Sequence, residues 1–320
     1  MDVSIVVPTR NRPDLMERLL RSLERATPAA LRIEILVVDN NTDPALRPQL
    51  ESVVRGTPLP TRLLTEPAPG KSRALNLGIR EAKGEFVAFL DDDIIVHEDY
   101  LVGLEKTLGT WPHGVFGGRV LRVWPYPPPD WVLGDPSTRA SRAEGGGRGG
   151  LIVHDCGDEP RPYDRSMRLP IGCNVIVRRS LFGRCGDFDV RLGPGSGAGI
   201  LGGEETDLLR RLRASGETIF YTPLVVVDHP VDPQRMTKAD FRARHFSSGR
   251  VKRHMTKRTF PSIFGIPRYL FGMLLTTSSR IVVATLRGAS LQAFDRQLEL
   301  CEILGSIYEY WRTRGRSVGS

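Results

Sequence analysis

Four short apolar runs alternate with helical segments through residue 90, and this alternation restricts the fold more than any other feature of the chain. The runs are Ser4–Val7, Ile33–Val38, Arg62–Thr65 and Phe86–Leu90. After the first, closed by Pro8, Pro13 stands where a helix can open, and Leu15, Leu19 and Leu23 recur at helical spacing. Before the last, Lys71–Ala82 reads as a helix closed by Gly84. Strands that alternate with helices predict an α/β fold with a mostly parallel sheet flanked by helices.

The strand ends carry Pro8-Thr9-Arg10, Asp39 and Asp91-Asp92-Asp93. Ligands of open α/β sheets bind beyond the carboxyl ends of the strands, so these residues are expected to share one crevice. Three adjacent carboxylates repel one another unless a positive charge sits among them. On an extended strand end, residues i and i+2 point to the same side. Asp91 and Asp93 are therefore expected to converge on a divalent cation, Mn2+ or Mg2+, while Asp92 faces away. Such a cation would hold the diphosphate of a nucleotide.

Farther on, Val115–Val123, Asn174–Arg178, Ile219–Tyr221 and Leu224–Val227 read as strands. The stretch GGEETDLLRRL reads as an amphipathic helix opened by Glu204, Glu205 and Asp207. Acids are favoured at a helix start in any case, but the preceding Gly202-Gly203 also permits a ligand to approach the backbone. His229 ends the last strand run, where an imidazole can serve as a further metal ligand. Two glycine motifs are set aside. PGKS at 69–72 has Thr65 where a phosphate loop needs glycine, and EGGGRGG at 144–150 lacks a strand before and a helix after.

Past residue 230 the chain turns basic. Arg235, Lys238, Arg242, Arg244, Arg250, Lys252, Arg253, Lys257 and Arg258 face the lone acid Asp240, within a net charge of +8. That run points to a phosphate-bearing ligand or an acidic membrane surface, or else to a solvated helix face. The apolar residues 263–286 are interrupted by Pro267, Arg268 and Arg280. They are expected to lie in a membrane interface or to pack on the catalytic domain. The division expected is 1–230 for a catalytic domain and 231–320 for a basic, mainly helical extension. Four cysteines without a C-x-x-C pair, and a start that runs straight into a strand, suit a cytoplasmic protein.

In order along the chain, SIVVPTRNRPDLMERLLRSL, ILVVDNNT, PGKSRALNLGIREAKGEFVAFLDDDI, GCNVIVRRSLFGRCGDFDVRLGPG, GGEETDLLRRL and VVVDHPVDPQRMT resemble the family 2 glycosyltransferases of the GT-A fold. The resemblance covers residues 3 to about 235. It implies a Rossmann-like nucleotide-diphospho-sugar transferase fold, a divalent metal (Mn2+ or Mg2+) and inverting transfer from a nucleotide-sugar, with a UDP-sugar the first expectation. It places Pro8, Thr9 and Arg10 at the nucleoside, Asp39 at the base, and Lys71 and Arg73 near base and phosphates. Asp91 and Asp92 join the donor site, and Asp91, Asp93 and His229 form the metal set. Glu205 falls where the general base stands, one methylene longer than usual, with Glu204 the alternative. The acceptor expected is a hydroxyl of a glycan or lipid-linked saccharide. The basic run with the broken apolar stretch is the ground for expecting peripheral attachment at the inner face of the cell membrane, and no nucleic-acid partner is expected. A nucleotidyltransferase or a catalytically inactive nucleotide-sugar-binding scaffold are the other readings, and the first lacks its glycine-rich loop after the first strand.

Overall fold

Val3–Thr9 (β1) is buried along its whole length. It lies between two parallel neighbours, β2 (Ile33–Asp39) and β4 (Phe86–Leu90), and β3 (Thr61–Thr65) extends the parallel set beyond β2. Alternate residues of these strands feed opposite faces, as the period of two requires. Ile5, Val7 and Ala88 join Met16, Leu19 and Leu20 on one face, while Val6, Leu36, Val87 and Phe89 join Ala74 and Leu75 on the other. The flanking helices are α1 (Pro13–Arg25), α2 (Arg47–Gly56), α3 (Lys71–Glu81) and α4 (Tyr100–Thr110).

This computed structural model describes residues 1–133, 151–164, 167, 169–197, 200, 202–256 and 260–314. The glycine-rich stretch 144–150, and Lys257 and Arg258 of the basic run, lie outside the described residues. The chain divides into two compact units, one of residues 1–123, 152–198 and 204–230, the other of 124–151, 199–203 and 231–320.

In the first unit the remaining strands are β5 (Ile95–Val96), β6 (Val115–Val123), β7 (Arg161–Pro162), β8 (Asn174–Arg178) and β9 (Ile219–Pro230). The sheet order is β3-β2-β1-β4-β8-β6-β9-β5, with β7 on β9. It is parallel through β3, β2, β1 and β4, then mixed, because β8 runs antiparallel to both β4 and β6. Helix α5 (Glu204–Ala214) follows β8 and carries the paired glutamates.

Three details differ from the sequence expectations. Pro8 lies inside β1 instead of ending it. Thr9 accepts from Asn40 N on the β2 side, so Pro8 faces β4, whose pairing with β1 covers only Val3 to Val6; no ladder donor is lost there. The two strands read at 219–221 and 224–227 are one strand, bridged across Thr222-Pro223 where the register with β6 shifts after Gly118. Helices α2 and α4 also occupy stretches with no expected element.

The second unit contains α6 (Lys238–Met255), the hairpin β10 (Ser262–Ile263) and β11 (Ile266–Pro267), α7 (Arg268–Leu286) and α8 (Ser290–Arg312). Thr237 caps α6 by accepting from Asp240 N at 3.1 Å. Helices α6 and α8 touch backbone to backbone: a Cβ on Gly249 would stand 1.9 Å from Glu302 O, and one on Gly305 1.9 Å from Phe246 O. Below them Glu309, fully buried, receives Arg250 at 2.8 Å, His254 at 2.9 Å and Arg312. Burial opposes its ionisation, but hydrogen bonds from Arg312, Arg250 and His254 and the charge of Arg250 outweigh burial and hold its carboxyl down to about 2.

Candidate active site

The carboxyl ends of β1, β2 and β4 and the first turns of α3 and α5 supply the predicted residues. Lys71, the first residue of α3, places its ammonium 2.7 Å from Asp91 Oδ1, 3.7 Å from Glu204 Oε1 and 3.6 Å from Glu205 Oε1. Helix α3 can start there because Gly70 takes a φ of 142° and Lys71 N donates to Pro194 O, tying the helix start to the loop before α5. Glu204 and Glu205 open α5, where the helix dipole favours carboxylates. Gly172 is the floor beneath Glu205: a Cβ there would fall 2.1 Å from Glu205 Cγ.

The three aspartates do not continue the strand. The backbone turns after Leu90, so the period of two no longer governs their directions. Asp91 turns to Lys71. Asp92 is buried, accepting from Thr9 Oγ1 at 2.8 Å and pairing with Arg12 at 3.3 Å. Asp93 stands 3.6 Å from the same Arg12 and 3.5 Å from His229 Nε2, and its carbonyl accepts from Arg18. Asp92, expected to face away, instead ties β1 to the turn.

Electrostatics sorts the acids. Burial, reinforced by Glu205, pushes the Glu204 carboxyl up to about 8, so Glu204 is protonated at neutral pH. Burial likewise pushes Asp92 up to about 6, against the pull of Arg12. Burial works against the charge on Lys71 and Asp91 too, but their mutual attraction prevails, raising Lys71 and lowering Asp91. Beside them the buried Cys173 thiol is pushed far up by desolvation and by Asp91, so it is not a thiolate nucleophile.

The donor set fits a divalent cation shared with a diphosphate. Asp93 Oδ1 and His229 Nε2, 3.5 Å apart, are close to the separation of about 3 Å expected for neighbouring ligands of an octahedral ion. Among the described residues, however, no three His, Cys, Asp or Glu side chains gather as a metal-holding group, so the expected trio is not assembled by the protein alone. Asp91 is instead paired with Lys71. Mg2+-like ions are commonly held by one or two protein groups plus substrate phosphates, and a site of Asp93 and His229 suits that pattern.

The other predicted residues ring this centre. Pro8 and Thr9 are buried and Arg10 is exposed, its guanidinium against Gly195, where a Cβ would come within 2.5 Å of Nη1. Arg73 is exposed beside Gly70. Asp39 is buried, accepting from Asn41 N at 2.9 Å and pairing with Arg47 at 3.4 Å. Several organising residues escaped the sequence reading. Arg12 links Asp92 and Asp93. Asn40 donates to Glu66 O and Ala68 O and accepts from Gly70 N, shaping the whole turn before α3. Asn11, at a φ of 56°, fastens the β1 loop to Thr42. Asn11 and Asn40 each directly follow or stand one residue beyond a strand's last residue, a position where asparagine commonly bonds backbone, and that was the available signal.

A half-parallel sheet with acids and a lysine gathered at its carboxyl edge matches the architecture of the GT-A class. The sequence profile described as Glycosyl transferase family 2 matches residues 4–183, and this chain belongs to that family. It is a glycosyltransferase. Among its relatives, the succinoglycan biosynthesis protein ExoM of Rhizobium meliloti is 30% identical over 256 residues, covering 78% of this chain and 74% of ExoM. A Campylobacter jejuni protein named GalNAc(5)-diNAcBac-PP-undecaprenol beta-1,3-glucosyltransferase is 31% identical over 107 residues, 33% of each chain. In fold, the mannosyltransferase PcManGT from Pyrobaculum calidifontis, solved with GDP-Man and Mn2+, matches with a TM-score of 0.61 at 18% identity, covering 98% of this chain and 88% of its own.

Proposed function

We propose that this enzyme transfers a sugar, with inversion, from a UDP-sugar to a hydroxyl of a lipid-linked saccharide, with Glu205 as general base. The observation that carries the reading is the meeting of Asp91, Glu204 and Glu205 around Lys71 at the sheet's carboxyl edge. Glu204 is 1% exposed and Glu205 22%, so only Glu205 is open to an incoming hydroxyl.

In the reaction, the acceptor oxygen bonds to the anomeric carbon as its proton passes to Glu205 Oε, and the bond from that carbon to the β-phosphate oxygen breaks on the opposite side. One carboxylate suffices, and no covalent intermediate forms. Lys71 and the basic start of α3 lie where they can offset charge on the departing diphosphate. Protonated Glu204 adds no second negative charge beside Glu205. Asp39 is an acceptor suited to the N3–H of uracil, with Thr9 and Arg10 along the nucleoside. Thr9, Asp92 and Arg12 position the turn that carries Asp93. Asp93 and His229 would hold a divalent ion, which when bound neutralises the diphosphate.

The names of the two bacterial relatives support a saccharide-assembly role and, for one of them, a polyprenyl-diphosphate acceptor. On this reading the enzyme works at the membrane surface that presents the lipid-linked acceptor. The test is release of UDP from UDP-sugars with a lipid-linked acceptor and Mn2+. Asp93→Ala should fold normally and lose turnover, and full activity in that variant refutes the assignment. A preference for GDP-sugars would overturn the uracil reading alone.

A further inference from the structure

We infer that α7 lies in the plane of an anionic membrane surface, its apolar outer face in the lipid and its arginines at the phosphates. One stripe of this 19-residue helix, Leu270, Thr277 and Ala284, is buried with α8 beside Ile303. The opposite face is open and apolar: Leu275 is 72% exposed, Val282 57% and Leu286 83%, at spacings that keep them on one side of the helix. Phe264, at the tip of the hairpin before α7, is 83% exposed. Only 17% of the most apolar stretch of α7 is buried, so this is not a core helix.

Charge selects the occupant. No Asp or Glu occurs from Phe241 to Phe294. Arg268, Arg280 and Arg287 are exposed along α7 and at its end, and none has an ion pair among the described residues. The following acids of α8 are engaged, Glu299 with Arg296 and Glu302 with Lys252. A helix with an apolar face and unpaired cations matches an acidic lipid surface, where apolar insertion and electrostatic attraction add. Two features argue for lying along the bilayer instead of crossing it: α8 covers one side of the helix, and Arg280 would sit near mid-membrane. The inference rests on the lipid-linked acceptor reading for its purpose. Binding is scored without sugar transfer, so the two can fail separately.

The experiment is flotation of the full chain with vesicles of phosphatidylglycerol and phosphatidylcholine, or of phosphatidylcholine alone. The protein should float with the anionic vesicles, sink as salt rises, and leave the membrane in alkaline carbonate. Leu275→Glu with Val282→Glu, and separately Arg280→Glu with Arg287→Glu, should each lower the bound fraction by about tenfold or more. Both should keep the parent's rate of donor hydrolysis in vesicle-free solution, which shows that they are folded. Three results would each overturn the inference: a full chain that stays soluble at low salt, retention after carbonate as for a spanning helix, or a stable dimer without vesicles that the Leu275→Glu pair dissociates.

Discussion

Glu204 and Glu205 are adjacent in sequence and opposite in circumstance, one sealed against Gly193 and Lys71, the other open above Gly172. Glu205→Gln keeps the side chain's size but cannot take a proton. A rate loss of about a hundredfold or more is expected, with donor affinity little changed. The larger loss in Glu204→Gln would move the base one residue earlier. Glu204 also sets a pH dependence. Its carboxyl rises from an ordinary 4.5 to about 8 on folding, so the folded chain holds a proton that the unfolded chain releases. That stability is fully present below pH 4.5 and is lost as pH climbs toward 8. The melting temperature of Glu204→Gln should therefore fall less than the parent's across this range; parallel curves would contradict the burial argument. Gly172→Ala presses a methyl on Glu205 Cγ, and a base displaced by about 1 Å can cost about a hundredfold in kcat. Steady-state kinetics should show that loss with the fold unchanged.

At the scale of elements, the sequence was most legible where pattern and burial agree. Phe86–Leu90, Val115–Val123 and Asn174–Arg178 are strands with the bounds that their apolar runs suggested. Helix α2 was hidden because Leu50 is its only buried residue, which leaves no apolar stripe to read. In α4, apolar residues are spread too evenly to mark a face, and Gly103, which weakens a helix signal, is required: a Cβ there would lie 2.0 Å from Leu224 O. The site was legible as a set of residue types at strand ends. Its pairing was not, since the turn after Leu90 sends Asp91 to Lys71 and Asp93 toward His229, and only three-dimensional structure reveals which acid meets which base. The close seam of α6 and α8 gives an element-scale prediction. Gly305→Ala places a methyl against Phe246 O and should cost about 1–3 kcal/mol, read as an earlier urea transition. No change would mean that the helices separate at little cost.

For the molecule as a whole, part of the basic charge that stood out in the sequence is paired within the second unit: Arg244 with Asp240, Arg250 with Glu309 and Lys252 with Glu302. Around α7, Arg268, Arg280 and Arg287 have no ion pair among the described residues, and the same helix carries the exposed Leu275, Val282 and Leu286. Ligand linkage offers a further check on the first unit. A UDP-sugar with Mn2+ at a hundred times its Kd should stabilise the folded enzyme by about 2.7 kcal/mol, and Asp93→Ala should lose the part that needs metal. A thermal shift equal with and without Mn2+ would remove Asp93 and His229 from metal binding. The decisive measurement is nucleotide release from a panel of UDP- and GDP-sugars, with Mn2+ or with excess chelator, in the parent and in Glu205→Gln. Release from a UDP-sugar that stops with chelator and falls by about a hundredfold in Glu205→Gln is the predicted result. Release at the parent's rate from Glu205→Gln, or undiminished release in chelator, would contradict it.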